Sequence, residues 1–141
     1  MRREARYVSA IILGGALVLF AGCGGKADAG PETVPIQAKL VMTKGGTANE
    51  LAEAGVAIQL ESVEQPGVIA YGAILQDGSI KLATQTPTGE KPGLVPGTHR
   101  VRLNADERAA QKFARKFLKY ETSGITIKAP SDQPIEISVW K

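Results

Sequence analysis

Few side chains in this 141-residue sequence are equipped for chemistry, and they stand apart from one another. Cys23 is the single thiol, so no disulfide forms within the chain and no thiolate cluster holds a metal. His99 is the single histidine. It falls on the strand face that carries Val101 and Leu103, a core or rim position, and no second histidine exists to share a metal, so no metal site is expected. One inward histidine also gives no Ser-His relay, and no serine sits in a G-x-S-x-G elbow. A G-x-x-x-x-G-K-[ST] phosphate loop and EF-hand spacing are both missing. Glu61, Glu64 and Asp77 are the acids whose approach in space would allow a carboxylate pair, against the simpler role of solvated surface groups. Among the aromatics, Trp140 falls on the opposite strand face from Ile137 and Val139. An outward ring there either stacks on a sugar or a partner protein, with Tyr71 and Tyr120 as further candidate contacts, or caps a wet edge of the sheet. The expectation is a protein without catalytic residues, cofactor or metal.

Cys23 ends a segment with three physically distinct parts. Arg2, Arg3 and Arg6 against Glu4 favour keeping the first residues on the cytoplasmic side. The run from Val8 to Ala21 carries no charge. It is shorter than the roughly 20 residues of a spanning helix and suits the apolar region of an export signal, about 7 to 15 residues. Ala21 and Gly22 then precede the cysteine, and here the sequence resembles the lipobox of bacterial lipoproteins, with Phe20 standing where an aliphatic residue is usual. The resemblance implies a lipoprotein signal peptide over residues 1–22 that is removed, palmitate-type acylation of Cys23, and an extracytoplasmic protein held at the cell membrane or outer membrane by the bilayer itself. The same residues also fit an uncleaved anchor helix with an inert thiol. Each buried methylene contributes about 0.8 kcal/mol, so one acyl chain binds reversibly and two or more hold a protein in place.

Removing residues 1–22 takes away three arginines and one glutamate and lowers the formal net charge from +3 to +1. The basicity of the whole chain therefore gives no argument for a nucleic-acid partner. Residues 23–33, with GGKADAGPET, read as a flexible tether, and patterned sequence begins at Val34. From there apolar residues recur with period two: Val34, Ile36, Ala38, Leu40 and Met42, then Val56, Ile58 and Leu60, then the run from Ile69 to Leu75. Asp77-Gly78 predicts a hairpin leading into SIKLAT, and Val95-Pro96-Gly97 predicts a turn before HRVRLN, with His99, Val101 and Leu103 inward and Arg100 and Arg102 outward. GITIKA and PIEISVW are the last two strands. Between them and HRVRLN, Ala110, Phe113, Ala114, Phe117 and Leu118 have helical spacing, and Asn104 with Glu107 has the form of a capping box. A helix of about three turns is predicted over residues 104–120, with Arg108, Lys112, Arg115, Lys116 and Lys119 on its solvated face.

Seven short strands in one domain over residues 34–141 predict a mainly β fold, a β-sandwich with one short crossover helix. With the only cysteine given to lipid, the apolar faces of the strands must supply the stability. The segments GLVPGTHRVRL, QDGSIKLAT and KYETSGITIK, taken with the lipobox, resemble the small lipoproteins of planctomycete-type bacteria whose domain is carboxypeptidase-regulatory-like or transthyretin-like. The resemblance covers about residues 34–141 and implies a transthyretin-like, Ig-like sandwich with no established catalytic residues. FARKFLKY departs from the proline-bearing segment that the family often has before K-Y. Three function classes follow: a non-enzymatic cell-envelope module that binds or spaces another envelope protein or glycan, a carbohydrate-binding module with exposed aromatics, and a hydrolase using a carboxylate pair.

Overall fold

The computed structural model describes residues 30–141; Cys23, the expected signal segment 1–22 and the first part of the tether lie outside the described residues. The period-two segments form β1 (Ala38–Lys44), β2 (Ala57–Ser62), β3 (Ile69–Ile74), β4 (Ser79–Thr86), β6 (Gly97–Asn104), β7 (Ile125–Ala129) and β8 (Ile135–Trp140). One further strand, β5 (Gly89–Pro92), brings the expected seven to eight. It is short and largely exposed, so it carries no apolar alternation to betray it. β1 starts four residues later than the pattern predicted, because Val34 makes an isolated bridge to Leu94 and only from Ala38 does the chain join the sheet.

All eight strands belong to one sheet in the order β7-β6-β2-β3-β4-β1-β8, with β5 on β4, curled into a nearly closed, barrel-like shape. The expected two-layer sandwich needs the ladder to break between its halves. Here Ala38 pairs with Ile80 and Lys39 with Ser79, which keeps the ladder running from β4 into β1 and on to the parallel strand β8. The second edge of β4 is thus shared, its first residues pairing with β1 and Ala83–Thr86 with β5. Apolar residues of every long strand still meet in a common interior, where Leu40, Ile58, Leu60, Val101, Ile137 and Val139 are at most 1% exposed. Each such side chain contributes roughly 1.5–3 kcal/mol before conformational entropy is subtracted.

The Asp77-Gly78 hairpin forms, as a three-residue loop. Gly78 N donates to Leu75 O at 2.9 Å and Gly78 takes φ 85°, a turn closed by a left-handed residue that only glycine adopts without cost. Asp77 fixes it by accepting from Ser79 N at 2.9 Å and from Ser79 Oγ at 2.6 Å.

The predicted helix over 104–120 is broken into 3-10 turns at Ala109–Lys112 and Arg115–Leu118, followed by the short helix α2 (Tyr120–Ser123). Asn104 stays in the sheet opposite Ala57, and Asp106 caps the first turn by accepting from Ala109 N at 2.8 Å. Phe113 and Ala114 are extended (φ −147°, ψ 166° and φ −65°, ψ 133°). That opening lets Ala114 N donate to Trp140 O at 2.8 Å while Phe113 and Phe117 both enter the core. A continuous helix would satisfy Ala114 N internally and leave the end of β8 unpaired. The structure also has a helix that the period did not predict, α1 (Ala48–Glu53), started by a capping box between Thr47 and Glu50. No helix among the described residues is long and apolar enough to cross a membrane.

Candidate ligand-binding face

Outward positions of neighbouring strands lie in register, and one such row crosses the sheet from β6 to β5. Arg102 faces Gln59, Gln59 faces Tyr71, Tyr71 faces Ala83, and Ala83 faces Pro92. Gln59 Nε2 donates to Tyr71 Oη at 3.3 Å, and Gln59 Oε1 accepts from Arg102 Nε at 2.8 Å and from Arg102 Nη2. Covered in this way, Gln59 is only 8% exposed although it sits on the outer face. Beside it, Arg100 Nη2 meets Glu61 Oε2 at 2.6 Å. Both guanidinium groups lie over the ring of Tyr120, 5.6 Å and 5.1 Å from its centroid, close enough for cation–π attraction. Tyr120 Oη is buried without a hydrogen-bond partner. Burial holds the Tyr120 hydroxyl above the usual phenol range; Arg102 opposes that rise without meeting it in hydrogen-bond geometry, and the charge of Glu61 adds to it.

On the other side of Tyr71 the row opens into a groove of about 590 Å³. Tyr71 forms one wall, Pro35, Ile36 and Pro92 form the other, and the small side chains of Ala73 and Ala83 lie between them. The volume falls within the roughly 300–1,000 Å³ of small-ligand sites. Lys81 and Glu90 bring opposite charges to it. The Pro35 wall is held by the incoming chain: Thr33 Oγ1 donates to Pro92 O at 2.8 Å, and Lys91 Nζ donates to Pro31 O at 3.1 Å. Gln85 Nε2 steadies Glu90 by donating to its Oε1 at 2.9 Å.

Trp140 is elsewhere. It ends β8, where its ring meets Phe117 in a T-shaped contact (4.8 Å between centroids, 84° between planes) and Lys116 Nζ lies 4.5 Å from its centroid. The expected aromatic set is therefore split: Tyr71 and Tyr120 share the β2–β3–β6 face, and Trp140 serves as a cap over Phe117 at the end of the 3-10 segment. Arg108, Lys112, Arg115, Lys116 and Lys119 are all exposed, but they decorate a turn-rich strap rather than one helix face. A cleft of about 400 Å³ between α1 and this strap mixes Glu50, Glu53 and Asp106 with Arg108 and Lys112 and contains no aromatic ring.

His99 is 1% exposed, as its inward position predicted; its Nε2 lies 2.8 Å from Val95 O, and its Nδ1 is buried without a partner. Among the described residues no three His, Cys, Asp or Glu side chains group together as a metal cage. The three acids raised as a carboxylate pair are each occupied separately. Glu61 holds Arg100. Glu64 accepts from Thr98 N at 3.0 and 2.9 Å, a bond that keeps its carboxyl below the usual range. Asp77 is lowered by its Ser79 bonds. Glu64 and Asp77 lie beyond opposite ends of β3. Sequence reasoning named Tyr71 only as one of the few aromatics and missed Gln59, Arg102, Lys81 and Glu90 as members of a site, because they look like solvated positions until the register joins them. No protein-family model, curated protein or solved structure matches the chain.

Proposed function

We propose that the chain is a lipid-anchored, extracytoplasmic lipoprotein acting as a non-enzymatic binding module of the cell envelope, with the outer face around Tyr71 as its working surface. The observation that carries the binding reading is the groove itself: an exposed ring, a floor of small side chains and two opposite charges on the outer face of the sheet. Three aromatic and arginine side chains stacked beside it, Arg100, Arg102 and Tyr120, make Tyr71 part of a braced surface rather than a lone exposed residue. The anchor is supported by the placement of Cys23 after the charge-free run and the arginine-bearing start. The turn segments at Asp77-Gly78 and Val95-Gly97, together with T-S-G-I-T, support membership in the carboxypeptidase-regulatory-like lipoproteins, a transthyretin-like ancestry for the sheet included.

The chain enters the described part of the fold at Gly30, which packs on Thr86 at the end of β4. β1 and β4 pair only at their first residues and run apart, so Trp140, which follows Lys44 in register, lies at the opposite pole. Cys23 lies seven positions before Gly30, a reach of at most about 25 Å. The described chain thus begins at the pole away from Trp140 and the 3-10 strap bonded to it. Replacing the acylated residue tests the reading: Cys23→Ser should move the protein from the membrane fraction to the soluble fraction of cells, and undiminished membrane retention would refute it.

A further inference from the structure

We propose that the groove beside Tyr71 is a binding site for an uncharged saccharide chain, which rests on the binding-module reading and gives its ligand a chemical class. Three features select that class. The Tyr71 ring is 37% exposed and lines the groove; its hydroxyl is held from the β2 side by Gln59, and no aromatic neighbour occupies its faces among the described residues. Such a wall favours a ligand with a flat C–H surface, as a pyranose ring presents. Ala73 and Ala83, in register with Lys81 and Tyr71, keep the floor low enough for a ligand to lie along the sheet.

Charge decides between kinds of chain. Lys81 and Glu90 border the same groove, and the pairing of Glu90 with Gln85 sets them four β4 residues apart, about 13 Å. A polyanion would meet Glu90 and a polycation would meet Lys81. A neutral polyhydroxylated chain suits both ends, accepting a hydrogen bond from the ammonium and donating one to the carboxylate. Gln85 occupies Oε1 of Glu90, which fixes the carboxylate and leaves Oε2 for a ligand hydroxyl. Trp140 is equally exposed, 37%, yet its ring is already covered by Phe117 and Lys116, so it takes no part.

The test uses the full protein extracted from membranes in mild detergent and titrated calorimetrically with cellohexaose and hexa-N-acetylchitohexaose as uncharged probes and an oligogalacturonate as the anionic one. At least one uncharged probe should bind and the anionic one should not. Tyr71→Ala should weaken binding about tenfold, the scale of one aromatic contact, while Trp140→Ala leaves it unchanged. Should Tyr71→Ala lower the melting temperature, Lys81→Ala carries the same expectation of weaker binding on an intact ring. Binding by neither uncharged probe, stronger binding of the anionic probe, or affinity that survives Tyr71→Ala would overturn the proposal. A protein that fails these titrations but still leaves the membrane on Cys23→Ser substitution loses its saccharide site and keeps its anchored-module reading.

Discussion

Tyr71 and Trp140 are both outward aromatics on strands and both 37% exposed, yet the sheet uses them in opposite ways. Trp140 stands at the last residue of β8, where Ala114 N takes its carbonyl and Phe117 and Lys116 take its ring. Tyr71 stands in mid-sheet, fastened through its hydroxyl alone. An end-of-sheet aromatic covers the core that the ladder leaves open, and a mid-sheet aromatic has no such task because the strands beneath it are already closed. Equal exposure therefore marks one ring as structural and the other as available for a ligand.

Removing what lies under each ring should separate the two most sharply. Phe117→Ala empties a fully buried site beneath Trp140 and should cost about 3–5 kcal/mol. Tryptophan emission should shift to the red in whatever protein stays folded, and a variant with native melting and emission would break the structural assignment of Trp140. Beneath Tyr71 the position to probe is Gly72, which points inward. A Cβ there would lie 2.5 Å from Ile80 Cγ2 and 2.9 Å from Leu82 Cδ2, so Gly72→Ala should destabilise by roughly 1–3 kcal/mol through overpacking. Thermal melting reads it, and unchanged stability would mean that β3 and β4 do not approach as closely as described.

Smaller effects sharpen the same contrast. Tyr120→Phe deletes a buried hydroxyl without a partner, and because an unmet buried polar group costs about 1–3 kcal/mol, the variant should be no less stable than the native chain and should gain if anything. Its pH profile is diagnostic. The folded-state pKa of Tyr120 is raised, so the fold carries no ionisation penalty below the ordinary value of 10.0 and loses stability as pH climbs from there through the higher folded value. Tyr120→Phe should flatten that alkaline loss; an identical alkaline profile would contradict the burial of the phenol. At the acid end Glu64 is lowered by its Thr98 bond, so its contribution is present above the ordinary 4.5 and fades as pH falls through the lower folded value. Glu64→Gln should remove that part of the acid response. Least of all, Tyr71→Ala should change stability by only about 0.5 kcal/mol, as expected for a surface residue whose single bond is to another outward side chain.

Much of the sheet was legible because one buried face imposes a period of two, and that period survives whichever partners a strand has. Partners are another matter. Nothing in the alternation of Ala38–Lys44 says that one edge of the strand pairs with β4 through its first two residues while the other pairs with β8 along its length, so the single curled sheet was not visible where two layers were expected. The spacing of Phe113 and Phe117 imitated a helix because an interrupted pair of 3-10 turns also returns every fourth residue or so to the same side. What broke the helix is a distant demand: Trp140 O needs a donor, and Ala114 N supplies it. α1 carried a readable start signal in Thr47 and Glu50 but only Leu51 as a fully buried residue, too little apolar pattern to stand out. The candidate site shows the same divide. Tyr71 could be placed outward from its own strand, whereas its brace from Gln59 and Arg102, and the charges of Lys81 and Glu90 at the groove, depend on register across five strands.

The most direct measurement of the central claim, a binding module fixed to a membrane by its own cysteine, is the intact mass of the protein extracted from membranes. The extracted chain should begin at Cys23 and carry acyl groups there; a mass that retains Met1 and an unmodified thiol would rule the anchor out.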